Sequence, residues 1–298
     1  EVEAAYQDLA ARVVKAQQSD GYLNTRFGGP GQPERFSDLA WGHELYCAGH
    51  LIQAAVARAR TAGEDDLVRA AVRLADHVCE MFEPGGIESV CGHPGIEVAL
   101  VELARVTGND RYRRMAGVFL ERRGHGVLGE IEFGSAYFQD DVPVREADVL
   151  RGHAVRALYL TSAAVDYALD TQDMPFLNQL VTQWENTVAR RTYLTGGMGS
   201  RHEVEAFGED FELPPDHAYS ETCAGVGSVM LAWRLLLATG EPRFADLVER
   251  TLFNVVATGP DVHGDAFFYA NPLQQRRPGP AASAEVSPRA ASGQRMPW

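Results

Sequence analysis

Residues 217–225 read HAYSETCAG and put a carboxylate, Glu221, two positions before a thiol, Cys223, where an amphipathic helix starts. A cysteine on a helix is usually packing. A thiol beside a carboxylate is also half of a metal site, because zinc accepts both donors. The surrounding segment, residues 191–223, is the densest run of acids in the chain, with Glu203, Glu205, Glu209, Asp210, Glu212, Asp216 and Glu221. Most acids in such a loop are solvated, so by count alone about one in seven is expected to move a proton. Gly196, Gly197 and Gly199 read as a flexible approach to this loop. They are not a phosphate cradle, since no Lys-Ser/Thr follows and the net charge has the wrong sign.

Histidines precede three helical stretches at one register: His43 in WGHELYCAGHL, His93 in CGHPGIEVAL and His153 in RGHAVRALYL. A fourth stretch carries Glu221 and Cys223 at the equivalent place. Singly, each histidine is more often a satisfied helix-end residue than a ligand. Three in register, with an acid–thiol pair in the fourth, suggest convergence at one mouth, where the positive ends of the helices favour a carboxylate or thiolate. The residues leave two chemistries open there: a metal centre, or imidazoles hydrogen-bonding the hydroxyls of a sugar.

The elements that would bring these residues together repeat. Four segments (57–78, 104–120, 168–184 and 236–256) each run helix, polar turn, helix, with a Thr closing the first helix at Thr61, Thr107, Thr171 and Thr239. In three of them a Gly follows within two residues, which ends a helix at little steric cost. An acid or Pro then opens the next helix. The spacing predicts inner helices over about 42–60, 93–106, 152–169 and 219–238, rich in small residues. It predicts half-exposed outer helices over about 64–82, 109–122, 173–190 and 241–257. Paired helices in such a repeat imply an all-α fold, an (α/α)6-type toroid of helical hairpins that is incomplete in this chain; an open solenoid fits the periodicity equally well. The intervening stretches, 19–41, 83–92, 123–150 and 191–218, are long enough to carry function. Residues 276–294, rich in Pro, Ala and Ser, read as a mobile loop within one catalytic domain spanning 1–298. The opening EVEAAYQDLAARVVKAQ reads as a helix already under way, in a chain trimmed at both ends.

Composition narrows the partners. With 298 residues, 45% hydrophobic, the chain is long enough for a large core. Its formal charge of -14 argues against nucleic acid or an anionic membrane surface and suits a small neutral substrate. No apolar run is expected to reach the roughly 18 residues a membrane span needs. Four cysteines without a C-x-x-C pair read as free thiols, which places the protein in the cytoplasm.

The segments GGMGSRHEVEAFGEDFELPPDHAYSETCAGVGSVMLAWRLL and ERTLFNVVATGPDVHGDAFFYANPL resemble the β-L-arabinofuranosidase family of glycoside hydrolases, the one numbered 127. QSDGYLNT, GHELYCAGHLIQAA, GHPGIEVALVELARVTGNDRY and GHAVRALYL agree with it, so the resemblance covers essentially the whole chain. It implies a helical α/α toroid that releases L-arabinofuranose with retention, through a cysteine nucleophile held on zinc and a glutamate acid/base. By motif, Glu205 matches the acid/base, and Glu221 and Cys223 match two zinc ligands. His43, His93, His153 and Tyr269 match positions that contact the sugar. In that reading zinc keeps the thiolate deprotonated and Cys223 is a ligand, not the nucleophile.

One departure stands out. The family's nucleophile belongs to a Cys-Cys pair downstream of a segment resembling GQRMPW, and the sequence stops at Trp298. The expectation is a chain that by itself binds zinc poorly and hydrolyses little, with any homodimer contact made by a part not present in it. The rival readings are a sugar epimerase on an α/α barrel that uses His153 and a second histidine, and a non-enzymatic helical-repeat protein.

Overall fold

Each helical hairpin of the chain is closed by the same local chemistry. The hydroxyls of Thr61, Thr107, Thr171 and Thr239 all donate to the carbonyl four residues back, each at 2.8 Å. That bond adds a second donor to a carbonyl of the last helical turn, as a Thr hydroxyl on a helix commonly does. Gly63, Gly108 and Gly240 follow as C-caps at positive φ. The third hairpin lacks the glycine, and Gln172 takes the left-handed conformation in its place at φ 56°. The next helix starts on a side-chain cap in three hairpins: Asp65 accepts from Val68 N, Asn109 from Arg111 N and Asp173 from Phe176 N. The fourth starts on Glu241 with Pro at the first helical position.

The computed structural model describes residues 2–274 and 295–297. The stretch expected as a mobile loop, 276–294, lies outside them. The elements are α1 (Val2–Ala16), α2 (Glu44–Ala62), α3 (Asp66–Phe82), α4 (Ile96–Thr107), α5 (Asp110–Arg122), α6 (Ala154–Asp170), α7 (Met174–Arg190), α8 (Thr222–Thr239) and α9 (Pro242–Thr251). A π-helical turn, Leu252–Val256, continues α9 where one regular helix to 257 was expected. A short antiparallel pair joins β1 (Ala266–Phe268) to β2 (Arg295–Pro297), with Phe267 opposite Met296. The all-α class expected from the turn grammar is the one found.

The chain divides into two compact units, Glu1–Ile131 and Glu132–Trp298. In the first, α2 packs on α4, each with its partner helix, α3 or α5, against it. Small residues permit this: a Cβ on Gly49 of α2 would lie 2.8 Å from the backbone of Gly95 at the start of α4. Leu45, Ile52, Phe82, Ile96, Leu100 and Phe119 are buried there. Each side chain so buried stabilises the fold by about 1.5–3 kcal/mol. In the second unit α6 packs on α8, with α7 against α6 and α9 against α8.

One expectation is corrected by α8. It is 18 residues long and apolar enough to cross a membrane by length and composition, where no such run was expected. Its apolar character serves packing: Ala224, Gly225, Gly227, Leu231, Ala232 and Leu235 are buried, and Arg234 within it pairs with Asp166 of α6 at 2.6 Å.

Candidate active site

The register expected of the histidines is nearly met. His43, His153 and Glu221 are each the residue capping the N-terminus of an inner helix, α2, α6 and α8. His93 sits two residues ahead of the cap Gly95 of α4.

In the first unit His43 and His93 meet, with ring centroids 5.9 Å apart, and Tyr46 lies 4.3 Å from the His93 ring. His43 Nδ1–H donates to Trp41 O at 2.5 Å, and His93 Nδ1–H donates to Pro94 O at 2.8 Å. A carbonyl only accepts, so both neutral rings carry their proton on Nδ1 and present Nε2 as an acceptor.

In the second unit the loop holding Glu205 is laid onto the start of α6. His153 and Ala206 form an antiparallel bridge, Ala154 N donates to Glu205 O at 3.0 Å, and Phe207 N donates to Gly152 O at 2.9 Å. Arg201 and Ala206 close the loop by backbone hydrogen bonds in both directions. Glu205 itself sits at φ 52°, a left-handed conformation costing a non-glycine residue roughly 1 kcal/mol. Its carboxyl points back over α6: Oε1 accepts from the Tyr219 hydroxyl at 2.8 Å, and Oε2 faces His153 Nε2 at 3.1 Å.

The ring of His153 is the opposite tautomer to the other two. Its Nδ1 stands 3.5 Å from Arg156 N in the first turn of α6, and its Nε2 faces a carboxylate, which only accepts, so the proton is on Nε2 and is donated to Glu205. Burial is the main cause lowering its pKa; the hydrogen bond to Glu205 pulls the other way. The structure therefore sets His153 against Glu205.

Residues 219–222 lead into α8 between two backbone partners, with Ser220 turned to a left-handed φ of 39°. Ser220 N donates to Gly199 O, Asn271 N to Tyr219 O and Thr222 N to Tyr269 O, and Glu221 bridges Ala270. Tyr219 and Glu221 nonetheless lie close, for the charge of Glu221 acts on the Tyr219 phenol and that hydroxyl bonds the Glu221 carboxyl. The glycines read as a flexible approach are in fact points of close contact. A Cβ on Gly197 would lie 1.9 Å from Ser220 Oγ, and one on Gly196 would lie 2.4 Å from Thr251 Oγ1.

Glu221 is buried, and burial first, then the charge of Glu205, pushes its pKa up to about 8. The Tyr269 and Tyr219 hydroxyls act against that rise. Tyr269, half-buried beside Tyr219 with ring centroids 6.1 Å apart, thus stands at Glu221. The other acids of the loop are mostly partnered at the surface: Glu212 with Arg201 at 2.7 Å, and Asp210 with Arg191 at 2.8 Å. Two residues were missed in the sequence. Tyr219 reads there as a core aromatic, and Arg156 as an ordinary helix charge. Arg156 is buried, with its guanidinium 4.7 Å from the Tyr137 ring centre, and its charge acts on both His153 and Glu221.

The expected zinc ligands are only partly met. Glu221 Oε2 is buried without a hydrogen-bond partner, the kind of oxygen a cation satisfies. Cys223, two residues on, is exposed and in no disulfide. Zinc takes four donors, at least three from protein. Among the described residues no group of three His, Cys, Asp or Glu side chains is arranged to hold a metal ion. The residues present do not by themselves fit a zinc centre.

Comparison with known proteins now decides the family. The model of the GH127 catalytic domain of β-L-arabinofuranosidases matches residues 1–292. The chain belongs to the GH127 β-L-arabinofuranosidase family. It is 34% identical over 284 residues to the non-reducing end β-L-arabinofuranosidase of Bifidobacterium longum subsp. longum, covering 88% of this chain and 43% of that protein. A crystal structure of a GH127 β-L-arabinofuranosidase from Geobacillus stearothermophilus T6 matches with a TM-score of 0.91 at 37% identity, over 99% of this chain and 49% of that one. The chain thus spans about half the length of these GH127 relatives. Cellobiose 2-epimerase from Bacillus thermoamylovorans B4167, an α/α toroid, shares the fold alone, with a TM-score of 0.53 and 11% identity over 76% of this chain and 63% of that one.

Proposed function

We propose that this chain supplies the sugar-binding and proton-transferring part of a glycoside hydrolase that releases L-arabinofuranose from β-L-arabinofuranosides. The observation that carries the reading is Glu205, a single carboxyl lifted on a left-handed turn and held between His153 and Tyr219. As an acid it would protonate the departing oxygen; as a carboxylate it would then take a proton from water. His43 and His93, each with an acceptor Nε2, suit the hydroxyls of a small neutral sugar, as does the Tyr269 phenol. Membership of GH127 supports the substrate class.

Zinc is part of the proposal only as a half site. Glu221 and Cys223 would serve as two ligands, and no step is assigned through the metal, because the described residues supply no third donor. The epimerase reading is disfavoured by His153. Its Nε2–H is given to Glu205 and its Nδ1 faces Arg156 N, so neither nitrogen is turned to take the proton of a sugar C–H.

The test is turnover of a panel of aryl and alkyl β-L-arabinofuranosides by the full-length protein and its Glu205→Gln variant. We expect release of L-arabinose, and a loss of about 100- to 10,000-fold in kcat/KM for the alkyl glycosides in the variant. No cleavage of any furanoside by the unmutated protein would overturn the proposal, and an epimerised product would replace it.

A further inference from the structure

The two groups that hold Glu205 are not equivalent donors. His153 turns Nδ1 toward the amide of Arg156 at the start of α6 and Nε2 toward a carboxylate, so its single proton stays on Nε2 and faces Oε2 at 3.1 Å. A ring N–H has no lone pair and cannot turn into an acceptor. Oε2 is therefore the oxygen that stays unprotonated. The Tyr219 hydroxyl, 2.8 Å from Oε1, has both a proton and lone pairs and can turn from donor to acceptor. It is also immobile: Tyr219 is fully buried, packed edge-on against His202 at 5.3 Å, with its backbone carbonyl taken by Asn271 N.

We infer that Tyr219 is a positioning residue for proton transfer, which with His153 fixes the plane of the Glu205 carboxyl and confines its transferable proton to Oε1. The inference rests on the reading of Glu205 as the proton donor. In the carboxylate form Tyr219 donates to Oε1 and His153 to Oε2. In the acid form the proton sits on Oε1 and the Tyr219 hydroxyl turns to accept or stands aside. When the glycosidic C–O bond breaks, its electron pair stays with the departing oxygen. The Oε1 proton moves to that oxygen and the alcohol leaves neutral; water then gives its hydroxyl to the anomeric carbon and its other proton back to Oε1, restoring the acid. Without the phenol one of the two hydrogen bonds that set its plane is gone, and the carboxyl can rotate out of line with the leaving oxygen. A misplacement of about 1 Å is enough to cost on the order of 100-fold.

The experiment compares Tyr219→Phe with the unmutated full-length protein on two substrates, an alkyl β-L-arabinofuranoside and a 2,4-dinitrophenyl one. The alkyl leaving group needs the proton and the dinitrophenolate does not. We expect kcat/KM to fall by about 10- to 100-fold for the alkyl glycoside and by less than about 3-fold for the dinitrophenyl one, with KM within about 2-fold for both. Equal losses on both substrates, an effect carried wholly by KM, or no loss on either would overturn the inference. A crystal structure of Tyr219→Phe gives a readout independent of turnover. Oε1 should leave its present place while Oε2 stays on His153, and a carboxyl unmoved from its present position would overturn the inference even with Glu205 still the acid. If instead Glu205→Gln itself shows no loss selective for the alkyl substrate, the proton-donor reading fails; the same crystal structure then decides separately whether Tyr219 orients the side chain.

Discussion

Glu221 and Cys223 are two residues apart and end in opposite surroundings, one buried without a partner on Oε2 and the other exposed. Burial sorts the remaining thiols as sharply. Cys79 and Cys91 are buried, and burial pushes their pKa values up to about 12 and about 11, so neither carries a useful fraction of thiolate at neutral pH. Iodoacetamide should therefore modify Cys47 and Cys223 in the folded chain and reach Cys79 and Cys91 only on unfolding. Mass spectrometry of the digested protein reads this directly, and modification of Cys79 ahead of Cys223 would contradict the burial assigned here. Glu221 and Cys223 stood out in the sequence by type and spacing, whereas Glu205 was one acid among seven there and was singled out by the family resemblance. Tyr219 was not, because a tyrosine between Ala218 and Ser220 has the look of core. Its partner Glu205 lies 14 residues upstream, across a loop whose path the sequence does not give. The ion pairs of Glu212 with Arg201 and Asp210 with Arg191 were equally hidden, since spacing does not show which cation lies opposite an acid.

The loop that carries Glu205 has little regular structure, and ion pairs tie its outer end: Asp210 to Arg191, and Glu212 to Arg201 within the loop itself. Arg201 Nε and its terminal nitrogen reach the two oxygens of Glu212 at 2.9 and 2.7 Å, and Glu212 also accepts from Glu209 N. The Arg201 guanidinium first, and the Glu209 amide second, hold the Glu212 carboxyl down at about 2 against an ordinary value of 4.5. With the folded value below the unfolded one, the pair stabilises the loop above about pH 4.5, and that stabilisation is lost as pH falls toward 2. The pair is partly exposed, so its contribution is under about 1 kcal/mol and acts locally. Protection of the Ser200, Arg201 and Ala206 amides from hydrogen exchange should drop across that window relative to amides of α4, and Glu212→Gln should remove the drop. A pH-independent ratio would rule out the Glu212 pair as such a tie. The hairpins were readable because each turn is short and encoded locally by a Thr, a glycine and a capping acid. Even the one exception, Gln172 in place of glycine, changes no boundary. The loops were readable only as long, for their shape depends on contacts such as Gly197 against Ser220 that join distant stretches.

For the whole chain, composition and donor count point the same way. A formal charge of -14 attracts cations in general, but a zinc centre needs soft donors at fixed geometry, not a diffuse field. All four cysteines and all nine histidines fall among the described residues, and none joins Glu221 and Cys223 in a group of three. Of the histidines, His153 already holds Glu205 through Nε2. A complete four-donor site holds zinc with about 10–16 kcal/mol, which is well below micromolar dissociation. Two donors with water in the other positions fall short of that, so these 298 residues should bind zinc more weakly than about 1 μM. Equilibrium dialysis of the chain against buffered zinc, followed by metal analysis, measures it. Cys223→Ser should abolish what binding remains, because a serine hydroxyl does not deprotonate to a ligand as a thiol does. One ion retained per chain against a chelator would mean that the donors gather differently from the arrangement described. The half site at Glu221 would then have to be redrawn as a whole one.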